Sequence, residues 1–94
     1  MSDYYVYILL CADGSYYTGH TDDLARRVAQ HRSGVIPGYS ATRLPVSLAW
    51  SQHCERRDQA FANERQIKNW SRAKKQELIA GDWTALQLAA RSRQ

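Results

Sequence analysis

The chain has few of the residues that build disulfide-linked or membrane-spanning proteins. Its 94 residues include only two cysteines, Cys11 and Cys54, which are too few for a disulfide framework and form no CxxC motif. We therefore expect free, buried thiols in a reducing compartment. No apolar run approaches the ~20 residues that span a bilayer, and no charged-then-apolar leader opens the chain. These absences predict a cytoplasmic protein without a membrane partner.

Acidic residues are outnumbered by basic ones. Thirteen lysines and arginines stand against nine aspartates and glutamates, which gives a net charge of +4. A basic chain suits a polyanionic partner such as nucleic acid, although many small basic proteins bind none. Its length fits one small domain, and it contains no repeat and no linker. We assign residues 1–80 to this domain and residues 81–94 to a C-terminal helix and a frayed tail.

Three segments have the pattern of β-strands. Residues 4–11 are β-branched and aromatic with both faces apolar, which predicts a strand at the centre of a sheet. Asp13-Gly14 predicts a hairpin, after which residues 16–21 return as the second strand. Residues 46–53 alternate apolar and polar side chains, which predicts a third strand with one buried face.

Helical patterns follow the hairpin and the third strand. The predicted helices cover residues 23–32, 55–70, 71–79 and 83–90. Thr21 or Asp22 can cap the first helix, Gly34 can end it, and Ser71 can cap the third. Both prolines fall in residues 35–45, a long loop for a small domain, and long loops are often functional. The prediction is an α+β fold in the order β-β-α-β-α-α-α, with helices flanking a small three-stranded sheet that consists of the hairpin plus one further strand.

The first helix places two polar side chains beside the core. Leu24, Arg27, Val28 and His31 are spaced i, i+3, i+4 and i+7, so they share one helix face. Because Leu24 and Val28 must face the sheet, Arg27 and His31 emerge at the edge of the core. Each has a structural alternative: the arginine stem can lie along the core, and the histidine can be half-buried with its hydrogen bonds satisfied.

The second helix carries a carboxylate in its apolar stripe. Ala60, Glu64 and Ile67 share one face, so Glu64 must be paired, protonated or metal-bound. One alternative is a structural salt bridge, for example to Arg27. The other is a Mg²⁺ site in which water and phosphate supply the remaining oxygen ligands.

The hairpin register decides whether two tyrosines can serve one site. A two-residue turn at Asp13-Gly14 would pair Leu10 with Tyr17 and place Tyr7 and Tyr17 on opposite faces. A three-residue loop or a bulge would pair Cys11 with Tyr17, and the two tyrosines would then share a face. A common site therefore requires the odd loop, whereas ordinary core packing of the tyrosines does not.

Taken together, these residues resemble the GIY-YIG nuclease family. The resemblance covers residues 4–79 and rests on Tyr5-Val6-Tyr7, then Tyr17-Thr18-Gly19, Arg27, His31 and Glu64, in this order. Tyr5 and Thr18 stand where the family name has glycine and isoleucine. The chain is most similar to small stand-alone members, to a branch of structure-specific endonucleases in which a histidine follows the arginine, and to the nuclease domain at the N-terminus of excinuclease C.

The resemblance implies a metal-dependent endonuclease that hydrolyses DNA phosphodiester bonds in repair or recombination, without a small-molecule cofactor. Glu64 would bind Mg²⁺ or Mn²⁺, and Arg27 would hold the scissile phosphate. Tyr7 would act as the general base or relay to it, and Arg27, the metal and His31 would lower its pKa or accept its proton. Tyr17 would position the water or phosphate, although which tyrosine is the base stays open.

Further basic side chains are candidate contacts to the nucleic-acid backbone, with a simply solvated face as the alternative. They are Arg26, Arg65, Lys68, Arg72, Lys74 and Lys75, together with His20 as a weaker candidate. Two other functions remain: a binding module with little or no turnover, and a nuclease subunit whose exposed tryptophans (Trp50, Trp70 or Trp83) dock on a protein partner that supplies specificity. The intact Glu64 favours the enzyme over a pure binding module.

Overall fold

The computed structural model describes residues 3–81, which form an α+β fold. The strands are β1 (Tyr4–Leu10), β2 (Tyr16–Thr21) and β3 (Ser47–Cys54). The α-helices are α1 (Leu24–Ser33), α2 (Arg57–Lys68) and α3 (Arg72–Ile79), and a 3-10 helix covers Ser40–Thr42. Within residues 3–81 the order of elements is the predicted one. The predicted helix over residues 83–90 and the tail after it lie outside the described residues.

The antiparallel sheet has the order β2-β1-β3, which confirms that the first strand is central. Val6 and Ile8 point to one face and pack with residues of α2 and α3. Tyr7 and Leu9 point to the other face and pack with Val28 of α1. Helices α1 and α2 therefore cover opposite faces of the sheet, with β2 as the edge strand between them.

The register of the hairpin places Tyr7 and Tyr17 on the same face, as a shared site requires. Tyr7 pairs with Gly19, and Leu9 pairs with Tyr17. The predicted pairing of Cys11 with Tyr17 is wrong, because the chain turns through the longer loop of residues 11–15. Hydrogen bonds of 2.9 Å from the Cys11 N–H to the Ser15 carbonyl and from the Gly14 N–H to the Cys11 carbonyl close this loop. Its length is still odd, so the faces are the predicted ones.

The cap of α1 differs from the prediction by one residue. Neither Thr21 nor Asp22 is the cap: the Asp23 carboxylate accepts a hydrogen bond of 3.2 Å from the Arg26 N–H. The Thr21 hydroxyl oxygen instead accepts a bond of 3.1 Å from the Asp23 N–H. Gly34 ends the helix at φ 78°, a left-handed conformation that favours glycine.

The remaining boundaries follow local hydrogen bonding. Ser71 caps α3 as predicted, because its hydroxyl oxygen accepts from the Lys74 N–H at 3.2 Å. Helix α2 is shorter than the predicted 55–70, since it begins at Arg57 and ends at Lys68. Strand β3 lies one residue later than predicted. Both cysteines are free and buried, as expected.

Two features bear on the predicted partners. Trp50 and Trp70 are partly buried and pack against the Val6 and Ile8 cluster, so the prediction that they are exposed docking residues is wrong. Trp83 lies outside the described residues. No helix within residues 3–81 combines the length and the apolar composition needed to cross a bilayer.

Candidate active site

Tyr7 lies at the centre of the candidate site. It is 2 % exposed and sits on β1 opposite Gly19 of β2. A Cβ atom on Gly19 would lie 2.6 Å from the Tyr7 hydroxyl oxygen and 2.8 Å from Cζ. The glycine is therefore required for space, and it lets the tyrosine ring lie across the edge strand.

His31 connects Tyr7 to the loop that follows α1. The Tyr7 hydroxyl lies 3.0 Å from His31 Nε2, and His31 Nδ1 lies 2.7 Å from the Ser40 hydroxyl. His31 and Ser40 are 1 % and 2 % exposed, so water does not compete for either bond. A neutral imidazole satisfies both neighbours when Nε2 accepts from the Tyr7 hydroxyl and the Nδ1–H donates to the Ser40 oxygen.

Tyr17 packs beside this row and is partly exposed. Its ring centroid lies 6.4 Å from that of Tyr7 and 5.1 Å from that of His31. Tyr39 stacks on its other side at 6.3 Å, and the Arg43 guanidinium carbon lies 3.7 Å from the centre of the Tyr39 ring. The loop over residues 35–45 thus supplies both Ser40 and Tyr39 to the site.

The surroundings of Tyr7 change the pKa of its hydroxyl. Burial and the neighbouring Tyr17 raise its pKa well above the usual tyrosine value, and Glu64 adds to the rise. Arg27 acts in the opposite direction but is outweighed. Arg27 alone therefore does not bring the pKa of Tyr7 below the usual tyrosine value, which favours the predicted alternative that His31 accepts the proton. The hydroxyl stays protonated at neutral pH and can accept a proton only by passing its own to His31.

The histidine is in the protonation state that this transfer needs. Burial and the nearby positive charge of Arg27 lower the pKa of His31 below the usual histidine value. The ring is therefore neutral at pH 7, and in the tautomer protonated at Nδ1 the Nε2 lone pair faces the Tyr7 hydroxyl. His31 has both ring nitrogens hydrogen-bonded, as the structural alternative predicts, but it is fully buried and not half-buried. Its functional role stays a prediction.

Arg27 reaches the site from the first turn of α1. It is partly buried, whereas Arg26 is exposed, which agrees with the predicted helix faces. Arg27 lines a cleft of about 420 Å³ at this end of the helix. The other lining residues are Thr21, Asp22, Asp23, Arg26 and Gln30. The charges of the two arginines and two aspartates in this lining balance, but Arg27 also lies near enough to Tyr7 to act on its pKa. A guanidinium beside the tyrosine is the group that a phosphate would require.

Glu64 approaches from the opposite face of the sheet. It is 8 % exposed, and both of its oxygens are hydrogen-bonded. His20 Nδ1 lies 2.5 Å from Oε1, and Lys68 Nζ lies 2.7 Å from Oε2. Burial would raise the pKa of this carboxyl, but the bonds from Lys68 and His20 hold it below its usual value. Glu64 is therefore paired, although with His20 and Lys68 and not with Arg27.

The Tyr7 cluster and Glu64 both contact the edge strand β2, from opposite faces of the sheet. His20 directly follows Gly19 on β2, so the carboxylate lies against the same strand that Tyr7 crosses. Within residues 3–81, no group of three or more histidine, cysteine, aspartate or glutamate side chains is arranged to hold a metal ion. The donor chemistry still fits a cation, because an ionised and buried carboxylate already draws two positive or donating groups. Mg²⁺ commonly uses one carboxylate and completes its shell with water and phosphate.

Several of the predicted nucleic-acid contacts already interact with other groups of the protein. The ammonium of Lys68 is bound to Glu64. Arg72 donates to the Gly14 carbonyl and lies 4.8 Å from the Tyr16 ring centre, so it also has a structural task. Lys74 lies over the Trp70 ring. Burial and the charge of Lys68 lower the pKa of Lys75.

Sequence reasoning assigned no role to Ser40 or Tyr39 and took His20 only as a weak phosphate contact. No helical or strand period connects Ser40 to His31, because a loop brings them together. The only available signal was the unusual length of that loop. For His20, the alternation of β2 places its side chain on the face covered by α2, which carries Glu64.

Comparison with known proteins identifies the class. The profile of the family described as the GIY-YIG catalytic domain matches residues 3–77. A UPF0213 protein of Natronomonas pharaonis is 42 % identical over 81 residues, which cover 86 % of this chain and 95 % of that protein. A UPF0213 protein of Staphylococcus saprophyticus is 38 % identical over 80 residues, with coverage of 85 % and 98 %.

A solved structure leads to the same result. The solution NMR structure of a UPF0213 protein from Bacillus halodurans is 36 % identical to this chain, with a TM-score of 0.56 and coverage of 93 % of each chain. The chain belongs to the GIY-YIG family, a family of nucleases, and resembles its small members. The predicted resemblance and the predicted fold class are confirmed.

Proposed function

We propose that this chain is a divalent-metal-dependent endonuclease that hydrolyses phosphodiester bonds in DNA. The observation that carries the proposal is the buried row of Tyr7, His31 and Ser40, which lies near the positive charge of Arg27. A hydrogen-bonded tyrosine and neutral histidine near an arginine would form a proton acceptor beside a group that can hold a phosphate. Membership in a nuclease family supports the same chemistry.

In the proposed reaction a water molecule attacks the phosphorus atom. Its proton passes to the Tyr7 oxygen as the Tyr7 proton passes to His31 Nε2, so Tyr7 relays the proton and His31 is its acceptor. Ser40 acts as a positioning residue: when its hydroxyl oxygen accepts from the Nδ1–H, Nε2 carries no proton and faces Tyr7. The bond from phosphorus to the leaving oxygen breaks, and that oxygen takes a proton from solvent.

The remaining roles fall to groups nearer the phosphate. Arg27 neutralises charge on the non-bridging oxygens, for which its fixed fork of donors is suited. Tyr17, which is more exposed than Tyr7, positions the attacking water or a phosphate oxygen. A Mg²⁺ or Mn²⁺ ion held by Glu64 would stabilise negative charge on the leaving oxygen.

The proposal also covers the bounds of the nuclease unit, its contacts to DNA and its cellular role. Residues 1–80 form the nuclease unit. Arg26, Lys74 and Lys75 contact the DNA backbone, together with the N–H donors of Arg65, Lys68 and Arg72 that do not point at protein acceptors. The cellular role is DNA repair or recombination, with selection of branched or otherwise structured DNA. The alternatives are a binding module without turnover and a subunit that requires a protein partner.

The test is cleavage of a substrate panel by the purified protein in Mg²⁺ or Mn²⁺. Duplex, single-stranded, flap and branched DNA of equal length, with matched RNA, are incubated with wild-type protein and with Glu64→Gln and Arg27→Ala. Arg56→Ala is the control for a lost arginine, because Arg56 is exposed and pairs only with Asp58 among the described ion pairs.

We expect cleavage of at least one DNA by the wild-type and Arg56→Ala proteins and its loss in both site variants. Binding without cleavage in either metal would favour the binding module. Cleavage that persists in Glu64→Gln would indicate a contaminating nuclease or a wrong site. A preference for RNA would correct the substrate.

A further inference from the structure

Glu64 and His20 form a contact whose purpose the proposed reaction does not explain. His20 Nδ1 lies 2.5 Å from Glu64 Oε1, while Lys68 occupies the other oxygen, Oε2. The two side chains are 24 % and 10 % exposed, so the imidazole is partly open to solvent whereas the carboxylate is nearly enclosed. The His20 nitrogen thus lies beside one oxygen of the Glu64 carboxylate, and the cationic ammonium of Lys68 lies beside the other oxygen.

We propose that His20 Nδ1 is a second protein ligand to the divalent ion at Glu64, and that it makes the site prefer a transition ion such as Mn²⁺ to Mg²⁺. The inference rests on the proposed function only in taking Glu64 as the metal carboxylate. Imidazole nitrogen suits transition ions, whereas Mg²⁺ takes oxygen ligands almost exclusively. A histidine ligand would therefore alter the choice of metal.

The spacing of the two donors suits this role. Two neighbouring ligands about 2.1 Å from a divalent ion and at right angles lie about 3 Å from each other. The atoms are now 2.5 Å apart, so an ion would require them to separate by about 0.5 Å and the imidazole to turn until the Nδ1 lone pair points beside Oε1 and no longer at it. A rotation of the His20 ring about its Cβ–Cγ bond makes both changes and leaves the ion pair of Glu64 with Lys68 in place.

The surroundings hold the imidazole in the required orientation. His20 is paired with Val6 across the sheet, which directs its side chain toward α2. The ring of Phe61 packs edge-on against the imidazole, with centroids 5.5 Å apart and an angle of 60°. Because Phe61 and Glu64 are both on α2, one helix positions the carboxylate and also holds the ring that faces it.

The direct test is pulsed EPR of bound Mn²⁺, which detects a nitrogen nucleus bonded to the ion. Wild-type protein is loaded with Mn²⁺ in a buffer free of amines, and the electron spin echo modulation is recorded with and without ¹⁵N-histidine labelling. The chain contains three histidines, so variants assign the nitrogen. In His20→Asn the amide nitrogen can still donate to Glu64 from nearly the position of Nδ1 but cannot act as an imidazole ligand.

His53→Asn is the matched control. His53 Nε2 lies 2.8 Å from Asp3 Oδ1, a second histidine–carboxylate pair, but both side chains are largely exposed. We expect nitrogen coupling in the wild-type and His53→Asn proteins, a change of isotope pattern on labelling, and loss of the coupling in His20→Asn. Mn²⁺ affinity should fall about tenfold or more in His20→Asn, with Mg²⁺ affinity nearly unchanged.

Other results would overturn the inference. These are the absence of Mn²⁺ binding, the absence of nitrogen coupling in the wild-type protein, or coupling that persists in His20→Asn. If His20→Asn does not fold, as judged by circular dichroism, His20→Gln replaces it with the same criteria. Nitrogen coupling in a protein that cleaves no nucleic acid would leave the metal site standing and would refute the proposed function alone.

Discussion

At the scale of single residues, the site depends on a missing side chain. Gly19 is not among the glycines with positive φ, so its backbone conformation does not require glycine. The requirement comes from Tyr7, whose ring occupies the volume where a Cβ would lie. The second triplet of the motif therefore makes room for the tyrosine of the first triplet.

Gly19→Ala should destabilise the protein and misplace Tyr7. The added carbon would be 2.6 Å from the Tyr7 oxygen, and overpacking of this kind costs about 1–3 kcal/mol. Urea unfolding measures the loss. The penalty should be smaller in a Tyr7→Phe background, because the closest atom is then absent; equal penalties in both backgrounds would contradict the contact.

His31 predicts how stability depends on pH. Burial and Arg27 lower its pKa, so the unfolded chain binds the His31 proton more tightly than the folded protein does. The free energy of unfolding should therefore decrease as the pH falls below about 6.5, the pKa of an unperturbed histidine, with no contribution from His31 above it. Urea titrations from about pH 5 to about pH 8 on wild-type and His31→Gln proteins measure this slope. Parallel curves would contradict the lowered pKa.

At the scale of elements, α1 is the platform for Arg27 and His31. Helical spacing predicted their shared face, because leucine and valine must face the core. The cap was not predictable from the sequence, since Thr21, Asp22 and Asp23 can all accept a hydrogen bond. The hairpin is similar: the face of each tyrosine followed from the parity of the loop, whereas its true length depends on bonds between Cys11 and Ser15.

Two adjacent aspartates test the cap. Asp23→Ala should cost about 1 kcal/mol of stability, because it removes the acceptor for the Arg26 N–H. Asp22→Ala is the matched control and should change stability by less than about 0.5 kcal/mol, since among residues 3–81 the side chain of Asp22 makes only an exposed ion pair of 3.8 Å with Arg57. Thermal or urea unfolding distinguishes them, and equal losses would refute the assigned cap.

At the scale of the whole molecule, the candidate site consists of groups from both faces of the sheet. Tyr7, His31 and Arg27 belong to the α1 face, and Glu64 belongs to the α2 face; the edge strand β2 lies between them. The helix and strand periods of the sequence and its composition could identify each of these four residues separately. They could not predict that His20 and Lys68 enclose Glu64 or that Ser40 supports His31, because these contacts depend on how distant segments pack.

The positively charged side chains should differ in their main effect: some mainly bind DNA, and others mainly stabilise the fold. Arg26→Gln should weaken binding to duplex DNA and reduce the slope of log affinity against log salt by about one, because it removes an exposed cation at the cleft. Its stability should be unchanged. Arg72→Gln should instead lower stability, because the guanidinium binds the Gly14 carbonyl. Fluorescence anisotropy across a salt series and urea unfolding measure both, and a destabilised Arg26→Gln would contradict this division.

The central claim is that Tyr7 moves a proton during phosphodiester hydrolysis, and single-turnover cleavage of labelled DNA by Tyr7→Phe tests it most directly. Tyr16→Phe is the matched control, because Tyr16 is the neighbour of Tyr17 and packs on the opposite face. We predict that Tyr7→Phe binds DNA normally but cleaves about 100-fold more slowly or worse, whereas Tyr16→Phe keeps the wild-type rate. A wild-type rate in Tyr7→Phe would contradict the claim.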